Sequence, residues 1–240
     1  MMLLELLNEV VDIDTDIFLS LNRMHSPFFD YFMSTYSGKW IWIPMYAAIW
    51  YVMLRNFHWK VTLFCMVGLA LVITIADQTG ATLIRPYVER LRPSNLENPI
   101  SDMVHIVNGR RGGRYGFPSC HAANTFALTV FLSLLFKNKS LTFMLIFWAT
   151  LNSYSRIYLG VHYPGDILFG TLAGCLIGYL MYLLYSFIHK RIFHQPRCIS
   201  NKYTASGYLI NDINLLFTVL LLTYFMIILL GFITAHTLNL

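Results

Sequence analysis

The sequence predicts an all-α fold, an integral membrane bundle of six spanning helices preceded by amphipathic helices in the membrane interface. Hydrophobic residues make up 57% of the 240 residues and charged residues only 12%, whereas soluble domains carry about 25% charged residues. The mean hydropathy is +0.56. Six apolar stretches alternate with short polar connections, and the length fits one compact domain.

The first part of the chain, residues 1–38, is the predicted interfacial segment. Two short amphipathic helices are expected at 14–22 and 27–35, with a break between them, because neither stretch has the roughly 20 apolar residues of a span. Their phenylalanines are expected in lipid or against the bundle: Phe18, Phe28, Phe29 and Phe32. Residues 1–11 are acidic and lack a basic start, so no cleavable signal peptide is expected.

The remaining chain, residues 39–240, is the predicted membrane domain. Its six spans are expected at 40–54, 59–83, 121–136, 141–158, 166–188 and 215–234. The fifth span contains small residues that permit close packing between helices: Gly170, Ala173, Gly174 and Gly178.

Basic residues predict the orientation of this bundle. They occur in the short connections after the first, third and fifth spans: Arg55, Lys60, Lys137, Lys139, Lys190, Arg191, Arg197 and Lys202. Lys and Arg in short loops mark the cytoplasmic side, and residues 1–38 are mainly acidic. The prediction is therefore a multi-pass membrane protein with its polar clusters on the outer face. The arginines of 85–114 oppose this bias and are attributed to a phosphate site; the reversed orientation is the alternative.

Charge also limits the classes of partner. The net charge of +5 is spread over loops and the central polar region, without the basic run typical of nucleic-acid binding. This distribution fits a protein embedded in the lipid bilayer with an anionic substrate, and it argues against nucleic acid as a partner. The four cysteines have spacings typical of neither a disulfide framework nor a metal site.

Three polar clusters interrupt the apolar sequence. The most specific in spacing contains Ser155, Arg156, His162 and Asp166. A neutral histidine can attack phosphorus, and a carboxylate on its other ring nitrogen fixes the tautomer and stabilises the cation that forms. An interfacial histidine followed by a helix-capping carboxylate is the alternative.

The second cluster is Pro118, Ser119, Cys120 and His121, at the start of the third span. A helix N-terminus favours anions, the hydroxyl adds a donor, and His121 could protonate a leaving oxygen. An ordinary Pro-Ser helix cap is the alternative.

The first cluster contains Arg85 and Arg92, which are seven residues apart. A short helix starting near residue 86 and stopping before residue 93 would present both on one face, where two arginines can grip one phosphate. Arg90 in the same segment favours the alternative of a basic membrane anchor.

A metal site is disfavoured because it needs three or four suitable ligands. Only His121, His162 and Asp166 are well placed, and the surrounding arginines would repel a cation. Neither a metal nor another cofactor is expected.

In order and spacing the clusters resemble the type 2 phosphatidic acid phosphatase superfamily of membrane lipid phosphatases. Its signature is Lys-x6-Arg-Pro, Pro-Ser-Gly-His and Ser-Arg-x5-His-x3-Asp. The third part matches in full. The second has Cys120 where glycine is usual, and the first has Arg85 in the lysine position. The resemblance covers residues 16–190.

The resemblance implies a role for each residue. His162 would be the nucleophile that forms a phosphohistidine, and Asp166 would orient it. His121 would protonate the leaving group and then activate water. The phosphate would be bound by Arg85, Arg92, Arg156 and Ser119, with help from the Cys120 N–H.

The outer loop 94–117 carries Arg110, Arg111 and Arg114, candidate headgroup-binding residues unless the loop is merely flexible and solvated. A basic lid would suit a second anionic group, which favours a lipid A 4′-phosphate, as in similar short bacterial members. Undecaprenyl diphosphate and phosphatidic acid or phosphatidylglycerophosphate are the alternatives. A non-catalytic binder or transporter, a lipid phosphotransferase and a vanadate haloperoxidase are the rival classes, the last disfavoured by six spans.

Overall fold

The structure is a computed structural model that describes residues 2–193 and 201–237. Over these ranges the chain is helical and contains two isolated β-bridges but no β-strand. The main helices are α1 (Met2–Asn22), α2 (Pro27–Tyr36), α3 (Ile43–Asn56), α4 (Trp59–Gln78), α5 (Arg85–Val88), α6 (Cys120–Phe136), α7 (Lys139–Tyr158), α8 (Pro164–Ile192) and α9 (Ile210–Thr237). The prediction of an all-helical fold is confirmed.

Three helical segments in the described ranges are long and apolar enough to cross a membrane: Trp59–Val88, Pro164–Ile192 and Ile210–Thr237. Helix α6 is equally apolar but has only 17 residues, and α3 has 14. Helix α7 has 20 residues, but its last turns carry Asn152, Ser153, Ser155 and Arg156. The other three predicted spans correspond to α3, α6 and α7. Helices α3 and α6 are short, and α7 carries polar residues in its last turns.

The N-terminal segment differs from the prediction in length. Helix α1 begins at Met2 instead of residue 14, whereas the break after Asn22 and the start of α2 at Pro27 are as predicted. Phe18 and Phe32 are buried, but Phe29 is 46% exposed. Helix α1 packs against α7 and α8, and α2 packs against α7 and α9, so both helices are part of the tertiary structure.

Close packing of α6 against α8 determines where the second and third polar clusters meet. A Cβ added to Gly170, Gly174 or Gly178 would lie 2.3–2.4 Å from a backbone oxygen of α6, so only glycine permits this approach. The Ser119 N–H donates to the Asp166 backbone oxygen at 3.0 Å. The predicted packing role of these glycines is confirmed, and it brings the N-termini of α6 and α8 together.

The first polar cluster does not form the predicted helical face. A π-helical turn, Thr79–Ile84, follows α4 and leads into α5, which ends at Val88. Glu89 adopts a left-handed conformation with φ of 50°, and the chain then becomes extended because Leu91 forms an antiparallel bridge with Tyr115. Arg92 therefore lies beyond the helix, and the prediction that Arg85 and Arg92 share one helical face was wrong.

One basic connection used for the predicted orientation is only partly described. Arg197 lies in residues 194–200, outside the described residues.

Candidate active site

His162 and Asp166 form a buried pair at the start of α8, called the dyad below. His162 Nδ1 lies 3.2 Å from Asp166 Oδ2, and the two side chains are 2% and 0% exposed. The Tyr163 N–H donates to the same Oδ2 at 3.1 Å, so Asp166 also caps its own helix. Asp166 is therefore both the predicted carboxylate partner of His162 and the helix cap given as the alternative. Its Oδ2 contacts the His162 ring and also accepts from the Tyr163 N–H.

The other nitrogen of His162 faces Arg92. Nε2 lies 3.0 Å from Arg92 Nη1, which also donates to the Val161 carbonyl at 3.0 Å. Arg92 Nε donates to the Tyr115 carbonyl at 3.1 Å. These contacts fix the guanidinium beside the imidazole, and the carboxylate on Nδ1 favours the tautomer whose Nε2 lone pair is free to accept.

Burial and nearby positive charge act on both groups. Burial, followed by the charges of Arg92, Arg156 and Arg85, holds the pKa of His162 well below its ordinary value. Burial and the charge of Arg85 lower the pKa of Arg92 to about 10. At neutral pH the imidazole is therefore neutral and the Arg92 guanidinium is still charged.

Arg85 reaches the second cluster from the end of the π-helical turn. Its Nη2 donates to the Pro118 carbonyl and to Cys120 Sγ, both at 3.1 Å. Cys120 is the first residue of α6 and does not have positive φ, so glycine is not needed there. A Cβ on Gly80 would lie 2.9 Å from Cys120 Sγ. The two departures from the family signature, Arg85 and Cys120, thus contact each other.

Ser119 and His121 start α6 beside this contact. Ser119 is fully buried and its hydroxyl oxygen accepts from the Ala122 N–H at 3.4 Å as the helix cap. His121 lies within electrostatic range of Arg156 and His162 and lines the wall of a cavity. Arg156 donates through Nη1 to Ser37 Oγ of the segment after α2.

The arginines of the first and third clusters that lie near His162 lack carboxylate partners. Among the described residues, Arg85, Arg92 and Arg156 form no salt bridge, whereas Arg90 and Arg114 do. The Nε atoms of Arg85 and Arg156 are buried and have no hydrogen-bond partner in the described ranges. Buried cations without an acidic partner are costly, and a site built this way is suited to a multiply charged anion.

Arg90, for which the sequence suggested only a basic membrane anchor, is hydrogen-bonded directly to the dyad. Its Nη1 donates to Asp166 Oδ1 at 3.1 Å, and its Nη2 lies 2.7 Å from Asp14 Oδ2 on α1. Its guanidinium also covers the Tyr163 ring at 3.9 Å. The second oxygen of Asp166 is therefore neutralised by an arginine that is itself held by the N-terminal helix.

Gly116 was also missed. An added Cβ would lie 3.1 Å from Asp166 Oδ2 and 3.2 Å from Arg92 Cγ, so the loop backbone lies against the dyad. The only sequence sign was a glycine next to the second cluster. Asp14 offered no sign beyond its charge, because its pairing with Arg90 depends on the tertiary fold.

The outer loop is folded around the site, but its arginines do not converge on the dyad. Arg114 pairs with Glu97 at 2.7 Å, and both side chains are more than half exposed. Arg111 donates to the Ser94 carbonyl at 2.8 Å and its own carbonyl accepts from the Ser94 hydroxyl. Arg110 is exposed. Arg111 thus closes the loop, and Arg110 and Arg114 are surface cations at its rim.

Comparison with known proteins identifies the family of this chain. The family model of the PAP2 superfamily matches residues 59–190. A lipid A 4′-phosphatase of Bacteroides thetaiotaomicron is 57% identical over 173 residues, which cover 72% of this chain and 77% of that protein. A lipid A 4′-phosphatase of Porphyromonas gingivalis is 35% identical over 76% of this chain and 77% of that protein. An undecaprenyl-diphosphatase of Sulfolobus acidocaldarius is 32% identical over 62% of this chain and 66% of that protein.

Two solved structures share the fold. LpxE of Aquifex aeolicus covers 70% of this chain and 93% of its own with a TM-score of 0.52 and 22% identity. A transmembrane PAP2-type phosphatidylglycerolphosphate phosphatase from Bacillus subtilis covers 79% of this chain and 90% of its own, with a TM-score of 0.56 and 21% identity. The three polar clusters meet within the region that the family model matches, and the chain is a member of the PAP2 superfamily of membrane phosphatases.

Proposed function

We propose that this protein removes the 4′-phosphate of lipid A through a phosphohistidine, with His162 as the nucleophile. The observation that carries the proposal is a buried neutral imidazole, oriented by Asp166, among three arginines that have no carboxylate partner in the described residues. Arg92, Arg85 and Arg156 would donate to the phosphate oxygens, assisted by Ser119 and the Cys120 N–H. In the structure Arg92 Nη1 lies 3.0 Å from His162 Nε2. With substrate bound, this N–H group would donate its hydrogen bond to the phosphate instead.

The reaction then has two steps. In the first, the Nε2 lone pair attacks phosphorus, the bond from phosphorus to the lipid oxygen breaks, and His121, protonated beside the bound phosphate anion, gives that oxygen its proton. In the second, His121 takes a proton from water, the water oxygen attacks phosphorus, and the bond to Nε2 breaks to release inorganic phosphate. Asp166 stabilises the positive charge on the ring between the steps, and the arginines stabilise charge on the transferring group.

The choice of substrate is supported by the relatives, two of which are named lipid A 4′-phosphatases and cover more than 70% of this chain. The undecaprenyl-diphosphatase relative is less similar and supplies the competing substrate. We further propose six spans in a bacterial inner membrane, with residues 1–38 at the interface and the dyad facing the periplasm. Exposed Arg110 and Arg114 would meet a second anionic group of the lipid at the rim.

The test is phosphate release from a panel of lipids by purified wild type and His162→Ala in detergent. The panel contains lipid A, undecaprenyl diphosphate, phosphatidic acid and phosphatidylglycerophosphate. Wild type should hydrolyse lipid A with the highest kcat/KM, and His162→Ala should have no measurable turnover. Labelled phosphate should appear transiently on wild-type protein, be stable to base and labile to acid, and be absent from the variant.

Three results would contradict parts of the proposal. Full activity in His162→Ala would remove the mechanism, and a higher kcat/KM for another lipid in the panel would replace the substrate. Labelled phosphate that appears on a second lipid rather than in water would assign phosphotransfer instead of hydrolysis.

A further inference from the structure

A cavity of about 640 Å³ lies beside the dyad, on the side of His121, among helices α3, α4, α6 and α7. Its volume is within the range of roughly 300–1,000 Å³ of small-molecule sites. His121 lines it, whereas His162 does not. A group that donates a proton to the leaving oxygen must stand on the side of the leaving group, so this cavity is the place for the part of the substrate that leaves.

The wall of the cavity carries a carboxylate that the phosphate chemistry does not use. Asp77 lies in the apolar segment Trp59–Val88, and its Oδ1 accepts from Asn124 Nδ2 at 3.1 Å. Among the described residues Asp77 forms no salt bridge, and no side chain donates to its Oδ2. An acidic group in a spanning segment is costly and commonly has a function.

The position of this carboxylate limits what it can bind. The Asp77 backbone oxygen is 3.7 Å from Cys120 Sγ, and Arg85 Nη2 is 3.1 Å from the same sulfur. The Asp77 backbone is therefore separated from Arg85 by one sulfur atom, while its carboxylate contacts Asn124 and would repel a phosphate. An ionised carboxylate only accepts hydrogen bonds, so its ligand must offer neutral or cationic donors close to the phosphate that is transferred.

We propose that this cavity is a sugar subsite, in which Asp77, held by Asn124, accepts hydrogen bonds from hydroxyl or amide N–H groups of the phosphorylated sugar. This inference rests on the proposed function. Thr125, Gln78 and Asn152 also line the cavity and supply further polar contacts. A prenyl chain has no such donors, and the leaving group of a prenyl diphosphate is itself an anion. Asp77 is thus a specificity-determining residue that favours a sugar phosphate over a prenyl diphosphate.

The test compares Asp77→Asn with wild type on lipid A, phosphatidic acid and undecaprenyl diphosphate. The variant keeps the size of the side chain and its contact with Asn124. Losing a charge-assisted hydrogen bond should lower kcat/KM for lipid A by roughly tenfold or more. The kcat/KM for phosphatidic acid should stay the same because its leaving group has no donor. That for undecaprenyl diphosphate should stay the same or rise, because a like charge is removed.

The chain offers a matched control at the other end of the bundle, where Asn56 Nδ2 donates to Asp212 Oδ2 at 2.8 Å. Asp212→Asn alters a similar acid–amide pair and should leave the ratio between the three substrates unchanged. The sugar subsite would be overturned if Asp77→Asn left the ratio of kcat/KM between the three substrates unchanged. This holds whether all three values fall equally at an unchanged melting temperature or none of them falls. Failure of wild type to hydrolyse lipid A would overturn the proposed substrate instead.

Discussion

Arg90→Gln tests whether the dyad depends on the N-terminal helix. Arg90 donates to Asp166 Oδ1 at 3.1 Å and contacts Asp14 Oδ2 at 2.7 Å. Its side chain is 21% exposed and that of Asp166 is 0% exposed, so water can replace little of the lost interaction. Glutamine keeps a polar side chain but removes the positive charge that neutralises the carboxylate behind His162.

The contact geometry gives the expected size of the effect. A hydrogen bond to a charged group contributes about 1.5–3 kcal/mol, and about 1.4 kcal/mol corresponds to a tenfold change in rate. Arg90 holds the buried Asp166 carboxylate ionised and in place, and it is the ionised carboxylate that stabilises the imidazole once the ring becomes a cation. If the whole Arg90–Asp166 bond serves that role, kcat should fall by roughly 10- to 150-fold. KM should change little, because Arg90 contacts the carboxylate and not the arginines that we propose bind the phosphate.

The assay is steady-state phosphate release from lipid A by wild type and four variants, with thermal unfolding measured in parallel. Arg90→Lys should restore part of kcat because it keeps the charge. Asp14→Asn should cause a smaller loss, since it leaves the Arg90–Asp166 bond in place. Its side-chain oxygen can still accept from the Gly165 N–H, which donates to Asp14 Oδ1 at 2.7 Å. Arg55→Gln is the control, because Arg55 faces Asp212 at 3.5 Å at the other end of the bundle.

Wild-type kcat in Arg90→Gln, with only a lower melting temperature, would refute the reasoning. The ion pairs would then attach α1 to the bundle without influencing the dyad. A rise in KM at constant kcat would also contradict it, because Arg90 would then act on substrate binding.

Three further outcomes follow from the packing and charge of the site. Gly116→Ala would place a Cβ 3.1 Å from a carboxylate oxygen of the dyad, and kcat should fall by about 3- to 10-fold; Gly113→Ala, with no atom within 4 Å, should match wild type. Gly174→Ala would meet the α6 backbone at 2.3 Å and should lower the free energy of unfolding by about 1–3 kcal/mol, whereas Gly68→Ala, in ordinary contact at 3.5 Å, should not lower the melting temperature. Burial and neighbouring arginines lower the pKa of His162. Nitrogen NMR should therefore find the His162 ring still neutral when the pH is below about 6.5, the ordinary pKa of histidine. Protonation of the ring near pH 6.5 would contradict the environment seen in the structure.

Local features of the sequence predicted much of the fold and the dyad. The spacing of His162 and Asp166 with a proline-glycine helix start between them placed both groups at one helix N-terminus, where the structure has them. Hydropathy located the helices, because apolar stretches of membrane length admit few other structures. The helix limits were less accurate where polar residues near the site interrupt the apolar pattern, as in α7.

Contacts between distant parts of the chain were not predictable in this way. Arg90 and Asp14 are 76 positions apart, counting from 14 to 90, and nothing local to either residue indicates their pairing. The left-handed Glu89 and the bridge between Leu91 and Tyr115 likewise depend on the folded outer loop. Helical spacing therefore predicted the wrong position for Arg92. The charges of Arg85 and Arg92 nevertheless both lower the pKa of His162.

The π-helical turn at Thr79–Ile84 has a consequence for how this protein can change in length. A π turn bonds residues five apart where an α turn bonds residues four apart, and the Arg85 N–H accordingly donates to the Gly80 carbonyl. Deleting one residue there would let the ordinary α-helical ladder form, because the extra residue of a π turn is accommodated as a local bulge. The chain beyond the turn would keep its orientation, and Arg85 would still face Pro118 and Cys120. Relatives that are one residue shorter within this turn should consequently still carry a cation at the position of Arg85, with the spacing to the signature arginine and proline unchanged.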